Sequence, residues 1–217
     1  MKTMMNKYEL KRILLDFFFP NRCPACNKVI GRMDYICNDC ADNFRYCSKE
    51  EVLCGGRLIS VCRYNSSSEH IVLGAKRNRD GGKISFMAYT LMQKITESFD
   101  TLPDVLLPVP IYRTDKVRKG YCHTEKICRE ITELTGIPTV TAVAKIKKTA
   151  QQKSLGREKR LVNLKGCFAV TDENALKDKH VLVIDDVTTT GSTLAEIYHT
   201  IEKCDPAAVD FAVFART

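Results

Sequence analysis

The 217-residue sequence lacks an apolar run long enough to cross a membrane, which takes roughly 18 residues. The most apolar stretch near its start, residues 13–20, is short and contains Asp16. It also has no small-residue cleavage site, so it does not resemble a secretory signal peptide. We therefore expect a chain without a transmembrane segment that stays in the cytoplasm.

Two common nucleotide-binding motifs are missing as well. The sequence contains neither the G-x-x-x-x-G-K-[ST] motif of P-loop proteins nor the G-x-G-x-x-G motif of dinucleotide-binding folds. Hydrophobic residues make up 44% of the chain and charged residues 28%, which is typical of a folded globular protein. A nucleotide-like ligand would therefore have to be bound by another kind of loop.

The positive charge is concentrated in one segment. The formal net charge is +8, and residues 145–165 hold eight basic residues and one acid. Three interpretations remain open: a mobile lid that clamps a polyphosphate, a solvated charged hairpin, or a contact with the backbone of single-stranded DNA. The segment contains no aromatic residue, so base stacking is unsupported and a DNA contact would be electrostatic.

Alternating helical and strand-like segments predict an α/β domain with a mainly parallel sheet. Residues 181–184 are fully apolar, as expected of a central parallel strand. Gly136 is well placed to end the helix before it. We predict strands at 105–110, 140–144, 167–170, 181–184 and 209–214, and helices at 6–19, 71–76, 84–95, 121–135 and 192–203.

An acidic pair and a hydroxyl-rich loop follow the apolar strand at 181–184. Asp185 and Asp186 come first, then Val187 and residues 188–193 with the sequence TTTGST, and a helix begins there. Such a loop offers backbone N–H groups and hydroxyls to a phosphate at a helix N-terminus. The two carboxylates fit the vicinal hydroxyls of a ribose. The alternative is a buried strand with an acidic cap and a polar turn.

The stretch 184–193, IDDVTTTGST, resembles the phosphoribosyl-pyrophosphate (PRPP) signature of type I phosphoribosyltransferases. The resemblance implies that the carboxylates contact the ribose hydroxyls and that the following residues bind the 5-phosphate. The predicted PRPP-binding residues are Asp185, Asp186, Thr188, Thr189, Thr190, Gly191, Ser192 and Thr193.

Two further segments are similar to the ComF family of competence proteins. The first is a P-V-P run at 108–110 followed by Arg113, Arg118, Gly120 and Tyr121. The second is the T-x-x-Q-x-x-L…R-x-x-N…F run formed by Thr149, Gln152, Leu155, Arg160, Asn163 and Phe168.

The resemblance to ComF carries implications for the ligand and its loops. It implies Mg²⁺-PRPP as ligand, with loops that handle pyrophosphate. The predicted loop residues are Arg113, Arg118, Lys119, Gln152 and Arg160. This chain departs from the family pattern at Lys119, usually Arg, and at Cys122–His123, usually Asn-Gln.

Four cysteines form a C-x₂-C-x₁₀-C-x₂-C pattern at Cys23, Cys26, Cys37 and Cys40. Two such pairs can surround a Zn²⁺ ion tetrahedrally, and a complete set of four thiolates indicates a structural site. Simple burial is the alternative. The roles of Cys47, Cys54 and Cys62 stay open, and the isolated cysteines Cys122, Cys128, Cys167 and Cys204 are predicted to be packing residues.

The roles of Lys76 and of the histidines are not decided by the sequence. Lys76 is either a solvated charge or a cation that faces a ligand. The four histidines show no ligand spacing, and among them His123 has the best position for a role.

We predict a zinc-knuckle module at residues 1–63 and a phosphoribosyltransferase-type domain at 64–217. The ComF resemblance implies a role in natural transformation, with single-stranded DNA and other competence proteins at the inner face of the membrane as partners. Two alternatives remain. The chain could be an active phosphoribosyltransferase acting on a nucleobase or amine, or a nucleic-acid-binding protein with a vestigial PRPP pocket.

Overall fold

The computed structural model describes residues 20–31, 33–77, 81–148 and 164–217. The predicted helix at 6–19 lies outside the described residues. In chain order the elements are α1 (Asn38–Asp42), β1 (Glu51–Leu53), β2 (Gly56–Arg63), α2 (Ser66–Arg77), α3 (Gly81–Ser98), β3 (Val105–Pro108), α4 (Arg113–Lys119), α5 (His123–Thr135), β4 (Val143–Lys145), β5 (Phe168–Val170), β6 (His180–Thr188), α6 (Ser192–Ile201) and β7 (Ala208–Arg216).

The central sheet has five strands in the order β1-β2-β7-β6-β3. The pairs β2–β7, β7–β6 and β6–β3 are parallel, and only the β1–β2 hairpin is antiparallel. β4 and β5 form a separate two-stranded antiparallel sheet. The predicted α/β class with a mainly parallel sheet is therefore confirmed.

Both faces of the sheet are buried, as expected of parallel strands. On one face, Leu182 and Ile184 of β6 belong to a core shared with α2, α3 and α5. On the other face, Val181 and Val183 pack with α6 and the β4–β5 pair. Each of these fully buried side chains contributes about 1.5–3 kcal/mol. β6 is thus held at the centre of the fold.

The helix at 121–135 was predicted almost as it is found. It begins at His123, and Gly136 ends it in the left-handed conformation with φ of 78°, where its N–H donates to Thr132 O. Among the described residues, no helix is both long and apolar enough to span a bilayer.

The hairpin of β1 and β2 was missed by the sequence analysis. Residues 1–63 were predicted to form the zinc-knuckle module, but Leu58–Arg63 pairs in parallel with β7. Ile59 and Cys62 are buried in the main core. β2, which lies inside the predicted module at 1–63, is thus a strand of the central sheet, and the domain boundary itself stays a prediction.

The segment that contains the four cysteines of the metal-type pattern, residues 23–44, packs against α3 through aromatic rings. Tyr35 stacks on Tyr89, with ring centroids 4.1 Å apart and planes 6° from parallel. Phe44 meets Phe86 edge to face at 5.5 Å and also contacts Phe214. These contacts attach the segment to the main core.

The amino ends of three strands are tied together by Asp210 of β7. Its Oδ1 accepts the backbone N–H of Arg57 at 2.6 Å, and its Oδ2 lies 2.9 Å from His180 Nε2. The Arg57 guanidinium covers the Phe99 ring at 4.2 Å. Burial raises the pKa of Asp210, but the bonds from His180 and Arg57 outweigh it and lower that pKa. We call these residues the amino-edge cluster.

Candidate functional site

The acidic pair lies within β6 near its carboxyl end, not in the loop after it. The strand continues to Thr188, and Asp185 pairs with Val213 of β7. Because successive side chains of a strand point to opposite faces, the two carboxylates leave the strand in different directions. Asp186 is buried and Asp185 is partly exposed. Their surroundings therefore differ.

Asp186 lies between two basic groups from different helices. Its Oδ2 is 2.8 Å from Lys76 Nζ, near the end of α2, and 2.5 Å from His123 Nε2, the first residue of α5. Burial raises the pKa of Asp186, but the charges of Lys76 and His123 outweigh it and hold that pKa well below its ordinary value. Asp186 is thus ionised at neutral pH.

The contacts around Asp186 compensate its charge in a buried setting. Asp186 Oδ2 and His123 Nε2 are both closed to solvent and lie 2.5 Å apart. Burial lowers the pKa of Lys76, but the charge of Asp186 outweighs it and raises that pKa. We call Asp186, Lys76 and His123 the carboxyl-edge cluster.

Asp185 has the opposite electrostatic behaviour. Burial and the neighbouring charge of Asp186 raise the pKa of Asp185 to about 7. Its Oδ1 accepts the backbone N–H of Asp186 at 2.8 Å. The two carboxylates of the predicted ribose site are therefore chemically distinct: Asp186 is held ionised, while Asp185 gains and loses its proton near neutral pH.

The threonine loop joins β6 to the start of α6. Gly191 has a φ of 76°, and a Cβ there would lie 3.1 Å from Leu53 Cδ1 of the β1–β2 hairpin. Thr190 Oγ1 donates to Ser192 Oγ at 3.0 Å. The residue before α6, Gly191, has no side chain to cap the helix, and the Ser192 N–H donates to Thr190 Oγ1 at 3.4 Å. This is the geometry of an anion site at a helix N-terminus.

The chain after β3 is partly helical, although three of the predicted loop residues lie there. Arg113, Arg118 and Lys119 lie on the seven-residue helix α4. The Arg118 guanidinium donates to Asp115 Oδ1 at 2.9 Å and its side chain is 76% exposed. Arg113 is exposed too. Their predicted role at pyrophosphate stays a prediction, and Gln152 and Arg160 lie outside the described residues.

Sequence reasoning left Lys76 undecided and gave His123 little weight. Both stand at helix ends that face the carboxyl edge of the sheet. Tyr121 Oη donates to Ala75 O at 2.7 Å, which ties the end of α2 to the start of α5. A signal was present in the sequence for both residues, because Lys76 ends the predicted helix at 71–76 and His123 lies in the first turn of the predicted helix at 121–135.

The four cysteines Cys23, Cys26, Cys37 and Cys40 come together in the structure. Their sulfur atoms all lie within 4.8 Å of one another, and Cys26 Sγ and Cys37 Sγ are 3.6 Å apart. A tetrahedral ZnS₄ site with Zn–S bonds of about 2.3 Å has sulfur–sulfur edges of about 3.8 Å. The donor set and its spacing fit structural Zn²⁺.

The remaining cysteines are mainly packing residues. Cys62, Cys122, Cys128, Cys167 and Cys204 are buried. Cys62 Sγ donates to Phe214 O at 3.3 Å. Cys47 and Cys54 are partly exposed. None of these seven belongs to the metal-type cluster found among the described residues.

Two cavities have linings that include residues of the N-terminal part of the chain. One, of about 390 Å³, is lined by residues that include Cys47, Val61 and Lys94. The other, of about 380 Å³, is lined by residues that include Arg22, Tyr35 and Ser85. Neither has Asp185 or Asp186 in its lining, so the candidate site is identified from its polar groups and not from a cavity.

Comparison with known families matches both parts of the chain. Residues 80–217 match the phosphoribosyl transferase domain, and residues 14–57 match the double zinc ribbon domain. The second match and the four-cysteine cluster together support structural zinc.

Several curated proteins are similar over most of the chain. Competence protein F of Haemophilus influenzae is 26% identical over 194 residues, which cover 83% of this chain and 84% of that protein. DNA utilization protein YhgH of Salmonella typhi is 26% identical over 200 residues, covering 90% of this chain and 84% of that protein. The Escherichia coli K12 protein of the same name is 28% identical over 166 residues, which cover 74% of this chain and 72% of that protein. The resemblance to the ComF family is thereby confirmed.

Solved structures are similar at a lower level. The allosteric regulatory enzyme of purine biosynthesis has a TM-score of 0.40 and 16% identity, and the match covers 60% of this chain but only 26% of that one. A purine phosphoribosyltransferase from Pyrococcus horikoshii has a TM-score of 0.37 and 21% identity, and the match covers 61% of this chain and 72% of that one. The family model alone spans more than half of the sequence, and the chain belongs to the phosphoribosyl transferase domain family.

Proposed function

We propose that the protein binds Mg²⁺-PRPP or a ribose 5-phosphate at the carboxyl edge of β6. One observation carries the proposal. In a chain of this family, a buried ionised carboxylate, Asp186, stands at the end of the strand that leads into a hydroxyl-rich helix N-terminus. Carboxylates accept hydrogen bonds from sugar hydroxyls, and helix N-termini attract phosphate.

Each part of the ligand has a matching group in this arrangement. The 5-phosphate would contact the N–H groups and hydroxyls of residues 188–193, and the sugar would lie over Asp185 and Asp186. Mg²⁺ prefers oxygen ligands and is commonly held by substrate phosphates with one or two carboxylates. Arg113, Arg118, Lys119, Gln152 and Arg160 are the proposed pyrophosphate contacts.

Calorimetric titration with Mg²⁺-PRPP tests the proposal, and the two ends of the sheet offer a matched pair of variants. D186N removes the carboxylate at the proposed site, and D210N makes the same chemical change at the amino edge. We expect D186N to weaken binding strongly and D210N to leave it unchanged. No binding to the folded wild-type protein at millimolar PRPP would contradict the proposal, as would equal losses in the two variants.

Binding and transfer chemistry can be separated in the same preparation. Transfer at the ribose C1 breaks its bond to pyrophosphate as an incoming amine attacks, so pyrophosphate is released. The protein would contribute positioning and charge stabilisation. Pyrophosphate release on addition of nucleobases or amines would identify a transferase. Binding without release supports a protein that only binds the ligand.

We propose further that the protein acts in DNA uptake during natural transformation, in the cytoplasm at the inner face of the membrane. The similarity to Competence protein F supports this role. The basic segment 145–165 is the proposed contact with single-stranded DNA. Fluorescence anisotropy of labelled single strands should show salt-sensitive binding that K147Q/K148Q weakens and that K177Q/K179Q, on an exposed segment elsewhere, does not. Equal effects of both pairs would remove the segment from the proposal.

Metal analysis tests the zinc site. We expect about one zinc ion per chain, because four thiolates complete its coordination. C37S should lose the metal and lower thermal stability, whereas C54S, which changes a partly exposed cysteine outside the cluster, should retain it. Metal-free folded protein, or equal zinc content in both variants, would contradict a structural zinc site.

A further inference from the structure

A side chain of the β1–β2 hairpin lies against the backbone of the threonine loop. Gly191 of that loop is buried and has a φ of 76°. A Cβ at this position would lie 3.1 Å from Leu53 Cδ1, 3.5 Å from Leu53 Cδ2 and 3.9 Å from Leu53 Cγ. These three nearest atoms all belong to one residue of β1. Leu53 therefore covers the face of the loop that a side chain at residue 191 would occupy.

The strand β1 is also tied to the start of the threonine loop. Glu51 Oε2 lies 2.6 Å from Arg216 Nη2, near the end of β7. Arg216 is in register with Thr188 of β6, and the Thr217 N–H donates to Thr188 O at 3.2 Å. Contacts from β1 thus reach both ends of the loop, at Thr188 through β7 and at Gly191 directly.

The side-chain hydrogen bonds of the loop are short-range. Thr190 Oγ1 donates to Ser192 Oγ at 3.0 Å and accepts the Ser192 N–H at 3.4 Å. These bonds fix the local shape of the loop, but they do not fix its position relative to the sheet. A binding loop works best when it is held within about 0.5 Å of the productive geometry by residues packed around it. Leu53 provides such packing from outside the loop.

We propose that Leu53 is a positioning residue for the ligand's phosphate: by packing on Gly191, it holds the threonine loop where its N–H groups and hydroxyls meet that phosphate. This inference rests on the proposed function, since the phosphate must lie at this loop. It deepens that function, because β1 lies outside residues 80–217 of the phosphoribosyl transferase match and inside residues 14–57 of the zinc ribbon match. The N-terminal part of the chain then contributes to the ligand site.

Calorimetric titration of the full-length protein with ribose 5-phosphate tests the role of Leu53. L53A removes the side chain that covers Gly191, so the affinity should fall about tenfold as the loop loses its fixed position. L53M restores a side chain of similar volume, and its affinity should return to within about twofold of the wild-type value. V52A, at the neighbouring residue with 79% exposure, is the matched control and should leave the affinity unchanged.

Inorganic phosphate shows which part of the ligand depends on Leu53. It is measured as a competitor of ribose 5-phosphate at millimolar concentration. Because Leu53 acts on the phosphate and not on the sugar, L53A should weaken inorganic phosphate and ribose 5-phosphate by the same factor.

A general loss of stability is separated from positioning by V209A. Val209 belongs to the same core as Leu53 but is not among the atoms that face Gly191. V209A should lower the melting temperature without changing the affinity for ribose 5-phosphate. L53A should lower the affinity at a temperature where all variants are folded.

A measurement on the wild-type protein covers the case in which L53A does not fold. With ¹³C-methyl-labelled leucine and valine, the Leu53 methyl resonances, assigned with L53M, should shift on addition of inorganic phosphate or ribose 5-phosphate. The Val52 methyl resonances, assigned with V52A, should stay in place.

Each outcome has a defined meaning. Wild-type affinity in L53A overturns the role of Leu53, as does an equal loss in V52A or V209A. A loss for ribose 5-phosphate without the same loss for inorganic phosphate overturns it too, and so do unmoved Leu53 resonances at saturation. Absence of any ribose 5-phosphate binding to the wild-type protein overturns the proposed function and this inference together, whereas binding that L53A leaves intact overturns the inference alone.

Discussion

The two ends of the sheet carry clusters of the same composition with different hydrogen bonding. At each end an aspartate lies beside one histidine and one lysine or arginine. At the amino edge, both oxygens of Asp210 have partners, from the Arg57 backbone and His180. At the carboxyl edge, a single oxygen, Asp186 Oδ2, contacts both basic groups, with Lys76 Nζ at 2.8 Å and His123 Nε2 at 2.5 Å.

This difference lies in how each carboxylate is held. At the amino edge, the partners of Asp210 are spread over its two oxygens. At the carboxyl edge, two basic groups from different helices converge on one oxygen of Asp186 and balance its buried charge. The contrast teaches that one fold can hold a buried carboxylate by partners on both oxygens or by charges gathered at one.

The largest expected effect on stability is at the amino edge. D210A leaves the Arg57 N–H and the His180 ring without their acceptor, so the free energy of unfolding at pH 7 should fall by about 3 kcal/mol, measured by urea denaturation. The folded pKa of Asp210 is lowered, so its contribution is present above the unfolded pKa of about 3.9 and is lost as the pH falls through the folded value. Ligand affinity should not change, and a parallel loss of affinity would break the comparison.

At the carboxyl edge, D186N should affect binding more than stability. We expect the affinity for ribose 5-phosphate to fall about hundredfold, or about 2.7 kcal/mol, because an ionised acceptor for the sugar is lost. The free energy of unfolding should fall by about 1–2 kcal/mol, because Lys76 and His123 lose their counter-charge. Calorimetry and urea denaturation on one preparation provide both values. A stability loss larger than that of D210A would reverse the comparison.

Asp185 should respond to pH in the opposite sense to Asp210. Its folded pKa is raised to about 7, so the folded state holds a proton that the unfolded state releases near pH 3.9. Its contribution to stability is present below pH 3.9 and is lost as the pH rises toward 7. D185N should therefore increase the free energy of unfolding by about 1 kcal/mol at pH 8 and change it little at pH 4. Equal effects at the two pH values would disprove the raised pKa.

The smallest expected effect comes from R57K. Lysine keeps the backbone N–H that Asp210 accepts, but it loses the planar guanidinium that covers Phe99 at 4.2 Å and donates to Ser98 O at 2.8 Å. The free energy of unfolding should fall by about 0.5–1 kcal/mol, measured by thermal denaturation. A loss as large as that of D210A would mean that the side chain and not the backbone N–H ties this edge.

The strands and helices that follow simple rules could be predicted from the sequence. Residues 181–184 form an uninterrupted apolar run, and Gly136 can adopt the left-handed conformation that ends a helix. β2 was missed because its apolar run, Leu58–Cys62, lies between cysteines and was assigned with them to the metal module. Its partner β7 lies far along the chain, so no local pattern indicates the pairing.

The chemistry of the site was harder to predict than its location. Asp185 and Asp186 are neighbouring residues of the same type. Only the alternation of side chains along a strand places them in different environments. Lys76 and His123 reach Asp186 because two helix ends converge on the same strand end. Such a convergence depends on the packing of the sheet, which sequence spacing does not contain.

The parallel pairing of β2 with β7 has a consequence for biosynthesis. Arg57 and its acceptor Asp210 are separated by 153 residues in the sequence. On the ribosome, β2 leaves the exit tunnel before β7 has been made, so its β7-facing backbone groups lack their native partner until β7 emerges. The exposed strand edge is a site where nascent chains could pair with one another, and contacts of such long range also slow folding. Synthesis of β7 is thus the step that completes the sheet.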